Sequence, residues 1–127
     1  MKRIVFAAAA VLAAMLAANP AAATQGLHCR AAAGGGPTID VVSSAQLIGV
    51  SVSERGITRS TMVPDADIAP RQSWFDEERV WIDLWNPRTM TDEGKLRLHY
   101  AGRGAGRHLV GTFVRAGRLT RLRCEES

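Results

Sequence analysis

After residue 23 no stretch of this chain keeps apolar residues at i, i+3, i+4 and i+7 for three turns; alternation with period two recurs instead. Period two sends successive side chains to opposite faces of a strand. A chain so patterned buries its apolar surface by packing sheet on sheet or by closing one sheet upon itself. Val80, Ile82 and Leu84 alternate with Arg79, Trp81, Asp83 and Trp85, and Leu96, Leu98 and Tyr100 with Lys95, Arg97 and His99. Ile48, Val50 and Val52 alternate with Gly49, Ser51 and Ser53. Further strands are expected at 38–43, 57–63, 108–115 and 118–124, with an edge strand at 27–31. Glu54-Arg55-Gly56 reads as a turn, and Ala116-Gly117 as a two-residue hairpin turn. Residues 64–71, with two prolines, and 86–94 read as surface connections, and 101–107 as a Gly-rich tip. The expected fold is all-β: a small antiparallel β-barrel or β-sandwich of seven to eight short strands, forming a single domain over residues 24–127.

The first 23 residues read as a cleaved secretory signal peptide. Met1-Lys2-Arg3 is a short positive start, Ile4 to Ala18 is an unbroken apolar run, and Asn19-Pro20 interrupts it before Ala21-Ala22-Ala23. Small side chains at the last and third-last positions fit a signal peptidase, which places cleavage between Ala23 and Thr24. As a helix the run spans about 22 Å, short of the roughly 30 Å hydrocarbon core, so no membrane span is expected after cleavage. Gly26-Leu27-His28 before Cys29 lacks the small residues that lipoprotein processing requires. The expected location is periplasmic or secreted.

Cys29 and Cys124 lie near the two ends of the mature chain, 95 residues apart. In an oxidising compartment an even count this low points to one disulfide, whereas a redox pair normally sits as C-x-x-C. Closing a loop of that length is worth about 4.5 kcal/mol in the chain-entropy model. No cofactor, no metal ligand and no catalytic residue is assigned. His28, His99 and His108 lack H-x-x-H spacing, no G-x-S-x-G elbow frames a serine, and Gly102 to Arg107 lacks the Lys-Ser/Thr of a phosphate loop. Asp76-Glu77-Glu78 reads as a solvated turn, since adjacent residues rarely flank one glycosidic bond at the required separation.

Two features bear on binding. Residues 24–94 carry a formal charge of −4 and residues 95–127 one of +6, with no acid between Lys95 and Cys124. Strands from the two halves can therefore pair with opposite charges across from one another, or leave a basic face for an anionic partner. Nucleic acid is not expected, because export separates the chain from it. The segment 73–85 holds all three tryptophans. In a strand Trp81, Asp83 and Trp85 share a face, and two indoles about 13 Å apart with a carboxylate between them form a candidate sugar platform. Arg97 joins these residues if the strands pair, and cation–π stacking would then cover the same face. Arg103 and Arg107 are candidate loop contacts.

The layout of signal peptide, one early cysteine, one late cysteine and many short strands resembles that of the membrane-bound and periplasmic lysozyme inhibitors of the C type. The resemblance is one of architecture. The loop motif with which that family enters a lysozyme cleft is absent from these residues, so no functional residue is carried over. The leading expectation is an exported, non-catalytic domain that binds an envelope protein, an inhibitor-type module whose loops at 64–72 and 101–107 meet the partner. The alternative is a domain for cell-wall carbohydrate that uses Trp81, Asp83 and Trp85. A small hydrolase is a third reading with no residues to carry it.

Overall fold

The computed structural model describes residues 25–127; the signal peptide and its Ala23/Thr24 cleavage site lie outside them. Nine strands follow one another: β1 (Gln25–Ala31), β2 (Thr38–Ser43), β3 (Leu47–Glu54), β4 (Ile57–Ser60), β5 (Ala69–Phe75), β6 (Arg79–Asn86), β7 (Thr91–Ala101), β8 (His108–Arg115) and β9 (Arg118–Glu126). They form one antiparallel sheet in the order β4-β3-β2-β1-β9-β8-β7-β6-β5, coiled into a nearly closed barrel. No helix among the described residues is long and apolar enough to cross a membrane.

The inward face is wholly apolar. Ile39, Val41, Val50, Ile82, Leu84, Leu96 and Leu98 are essentially inaccessible, and no polar or charged residue is buried among the described residues. Burying side chains of this kind contributes about 1.5–3 kcal/mol each, and that burial drives the sheet to curl. Tight hairpin turns set the register. Arg55-Gly56 joins β3 to β4 and Ala116-Gly117 joins β8 to β9, both residues of each pair at positive φ. That is the type I′ geometry, whose twist matches the flanking strands.

Cys29 and Cys124 stand directly opposite each other on β1 and β9 and are bonded, with Cα atoms 4.0 Å apart. The first and last of the described strands are therefore neighbours, and β1, expected at an edge, lies between β2 and β9. The open seam falls instead between β4 and β5. Ile68, 1% exposed, is buried within the connection between them. Arg59 on β4 spans the barrel end to Glu93 on β7 at 2.9 Å and also reaches Asp67 at 3.5 Å, while Arg115 on β8 meets the same Glu93 oxygen at 3.1 Å.

The strand count is nine because β5 occupies part of the expected connection at 64–71. An edge strand tolerates Pro70, and the register shifts between Pro70 and Gln72. Its side chains are almost all exposed, so no alternation marks it. Two other expectations are corrected by ladder irregularities. Ile48, expected in the core, is half exposed because the β2–β3 register slips there, with Ser43 opposite Leu47 and Val42 opposite Gly49. The connection expected at 86–94 is short, since β7 begins at Thr91.

Candidate functional site

β6 buries Val80, Ile82 and Leu84, which turns Trp81 and Asp83 outward. The hairpin from β5 to β6 places Trp74 directly opposite Trp81, and the next hairpin places Arg97 opposite Trp81 on its other side. Directly opposed residues on one face of a sheet have Cβ atoms about 5 Å apart, so the row Trp74, Trp81, Arg97 is contiguous. Around it lies an open depression of about 560 Å³, lined by Gln72, Ser73, Trp74, Arg79, Trp81, Asp83 and Arg97. Trp74 is 58% exposed and Trp81 41%, so both indoles remain accessible to a ligand.

Trp81 is held by its cationic neighbours. The Arg79 guanidinium lies 5.0 Å from its ring centroid and that of Arg97 lies 5.3 Å away, both within cation–π range. Arg97 Nη2 is also 2.6 Å from Asp83 Oδ1, and the Asp83 side chain is only 20% exposed. Trp74 is fixed by a different device. Its indole N–H donates to Asp76 Oδ2 at 2.9 Å, while Asp76 Oδ1 accepts the backbone N–H groups of Glu78 and Arg79, each at 2.8 Å. Arg79 Nε donates to Asp76 Oδ2 at 3.2 Å. These donors, led by the Trp74 indole, hold the Asp76 carboxyl down at about 2. The three-residue turn 76–78 thus positions Trp74 and Arg79 together.

Of the residues singled out from the sequence, Trp81, Asp83 and Arg97 come together here and Trp85 does not. Register shifts between Pro70 and Gln72 and between Leu84 and Trp85 set Trp85 apart, opposite Ala69, with the Arg71 guanidinium 5.2 Å from its ring centroid. Trp74 takes its place. A local signal for it lies in the turn: taking the four residues Asp76–Arg79 as the loop, closed by the Asp76 N–H donating to the Arg79 carbonyl, pairs 75 with 80 and 74 with 81. At the Gly-rich tip, Arg107 lies over the Tyr100 ring at 3.8 Å and donates to the Glu77 carbonyl, so it is committed to the fold. Tyr100 in turn donates to Glu126 Oε1 at 2.5 Å, and burial pushes its hydroxyl up to about 12. Arg103 is exposed beside a single turn of 3₁₀ helix, Gly104–Gly106, and forms no ion pair among the described residues.

The histidines are dispersed. His28 Nδ1 lies 2.6 Å from Asp40 Oδ1 and His108 Nδ1 lies 2.9 Å from the Gly106 carbonyl, whereas His99 points outward on β7. Among the described residues no group of three His, Cys, Asp or Glu side chains is arranged to hold a metal ion. Chemically, the depression offers two partly exposed indoles, that of Trp81 flanked by the Arg79 and Arg97 guanidiniums, and the Asp83 carboxylate, itself paired with Arg97. No family model matches the chain, and no curated protein or solved structure is significantly similar to it.

Proposed function

We propose that this protein is an exported, non-catalytic carbohydrate-binding domain whose ligand lies on the Trp74–Trp81 pair. The observation that carries the reading is the cross-strand pair itself, two exposed indoles held in place by Asp76, Arg79 and Arg97. Indole faces pack against the C–H face of a sugar ring, and polar groups at the rim accept and donate to its hydroxyls. Asp83, Gln72 and the two guanidiniums supply that rim. Pre-positioned aromatic groups reduce the ordering cost of binding, which matters for a shallow site. The Cys29–Cys124 bond and the leader at 1–23 support export, and an envelope polysaccharide is the ligand such a location provides.

Calorimetric titration with neutral cell-wall oligosaccharides tests this. Wild-type protein is expected to bind at least one of them, and Trp74→Ala and Trp81→Ala each to weaken that binding about tenfold without unfolding the domain. Unchanged affinity in both variants overturns the reading.

A protein partner is the second reading. The loop contacts expected for it are partly absorbed into the fold, since the upper half of 64–72 is β5 and Arg107 is engaged internally. What favours it is the exposure of Met62 and Val63, each above 50%, on the connection across the seam. Loss of a periplasmic pull-down partner on Met62→Ser and Val63→Ser substitution supports this reading, and an unchanged partner set removes it.

A further inference from the structure

Beside the tryptophan pair, the outer face of the barrel carries a second feature. On β8 the outward residues after His108 are Val110, Thr112 and Val114, all short and β-branched. Strand β7 on one side raises Lys95, Arg97 and His99 beside them, and β9 on the other raises the exposed Leu119, then Arg121 and Arg123, with Glu125 next along the strand. Two strand spacings separate these walls, about 10 Å. The result is a shallow trough along β8 with an uncharged floor at Val110 and Thr112 and with Lys95, Arg97, Arg121 and Arg123 on its walls.

The charges of this trough are unspent. Arg97 is paired with Asp83, but Lys95, Arg121 and Arg123 form neither an ion pair nor a side-chain hydrogen bond among the described residues. The nearest acids on β9 are engaged elsewhere, Glu125 with Arg30 at 2.9 Å and Glu126 with Tyr100. No acidic side chain occurs between Lys95 and Cys124, so the first to follow on the β9 wall is Glu125, which is paired with Arg30. Opposite charges of the two chain halves do meet at Arg97–Asp83 beside the trough, and at Arg115–Glu93 and Arg118–Glu54, whose strand positions belong to the inward face rather than to the trough. Arg97 belongs to both surfaces, so the tryptophan row Trp74, Trp81, Arg97 continues through Thr112 to Arg121.

We infer that the ligand is an anionic polysaccharide, with one sugar ring on Trp74–Trp81 and the negative groups of the following residues in the trough between β7 and β9. The inference rests on the carbohydrate reading above and adds the charge of the ligand to it. Guanidinium groups match carboxylate, sulfate and phosphate oxygens bidentately, and an open trough suits an extended chain rather than a compact solute. Because the walls are exposed, their attraction is screened by salt.

The test compares four probes on one protein: an oligogalacturonate, a heparin-derived oligosaccharide, a neutral chito-oligosaccharide of equal length, and single-stranded DNA of matched charge. The intact domain is expected to bind one of the anionic glycans about tenfold more tightly than the neutral one, and to lose that margin on raising salt from about 0.05 to 0.5 M. Whether oligogalacturonate or heparin is preferred identifies the anionic group. The Arg121→Ser/Arg123→Ser double variant, whose side chains are both exposed, is expected to abolish the margin while leaving neutral-glycan binding intact. If the double variant keeps the margin, or if DNA binds as tightly as the glycans, the trough has no such role and the tryptophan reading stands. If Trp81→Ala leaves both neutral and anionic binding unchanged, the tryptophan reading fails separately. Absence of binding to every glycan overturns both.

Discussion

The indole N–H of Trp74 donates to the Asp76 carboxylate at 2.9 Å, and the same carboxylate closes the β5–β6 turn through two backbone N–H groups and Arg79. One side chain therefore sets both the turn and the orientation of an exposed aromatic. Asp76 is held down at about 2, below its unfolded value of about 3.9. A depressed carboxyl stabilises the fold at any pH above its unfolded value, and that contribution is lost as pH falls from about 3.9 through the folded value. The Trp74 indole N–H resonance is therefore expected to hold its position at mild acidity and to move with a midpoint near 2. Asp76→Asn removes the transition. A midpoint near 4 contradicts the arrangement.

Cys29 and Cys124, both buried, join β1 and β9, the first and last of the described strands. Their bond closes a 95-residue loop, and replacing both cysteines by alanine is expected to cost about 4 kcal/mol. For a domain of this size that lowers Tm by about 15–30 °C. Circular dichroism melts of the oxidised protein and the double variant measure it. A shift of under about 5 °C shows that pairing of β1 with β2 and β9 suffices on its own.

Gly111 marks the closest approach of β7 and β8. A Cβ there would lie 1.8 Å from the Arg97 carbonyl oxygen, whereas one at Gly106 would meet nothing within 4 Å. Gly111→Ala is expected to destabilise by about 2–4 kcal/mol and Gly106→Ala to stay within about 0.5 kcal/mol of wild type, as chemical denaturation would show. Equal effects would contradict the packing of β8 on β7.

Glu93 carries two guanidiniums, Arg59 at 2.9 Å and Arg115 at 3.1 Å, with its side chain only 14% exposed. Its hydrogen bond to Arg59 raises that arginine further. Glu93→Gln leaves two partly buried cations short of a counter-charge and is expected to cost about 1–3 kcal/mol. Because Arg59 sits on edge strand β4, hydrogen exchange in β4 is expected to accelerate more than in β8. Uniform acceleration, or none, refutes a role for this cluster in closing the barrel.

The all-β class, the disulfide and strands such as β2, β6 and β8 were legible because period-two alternation and turn residues are local signals. Where two strands meet is not local. The β6 pattern correctly set Trp81 and Asp83 on one outer face, yet the bulges at Pro70/Gln72 and Leu84/Trp85 take Trp85 out of that row, and Trp74 enters it through the β5–β6 turn. β5 left no trace because an edge strand with exposed side chains has no buried face to alternate against. The edge position expected for β1 failed for the same kind of reason: closure through β9 is a property of the whole sheet. The charge asymmetry was visible, but its division into paired charges and an unpaired trough required the β7–β8–β9 register.

A sugar ring resting on Trp74 and Trp81 would perturb those two indoles and leave the third alone. The three indole N–H resonances of ¹⁵N-labelled protein, followed during titration with cell-wall oligosaccharides, test it most directly. The account predicts that the Trp74 and Trp81 signals shift together and saturate, while Trp85, set apart beneath Arg71, stays in place. Three stationary signals across the whole series, or movement of Trp85 alone, would contradict it.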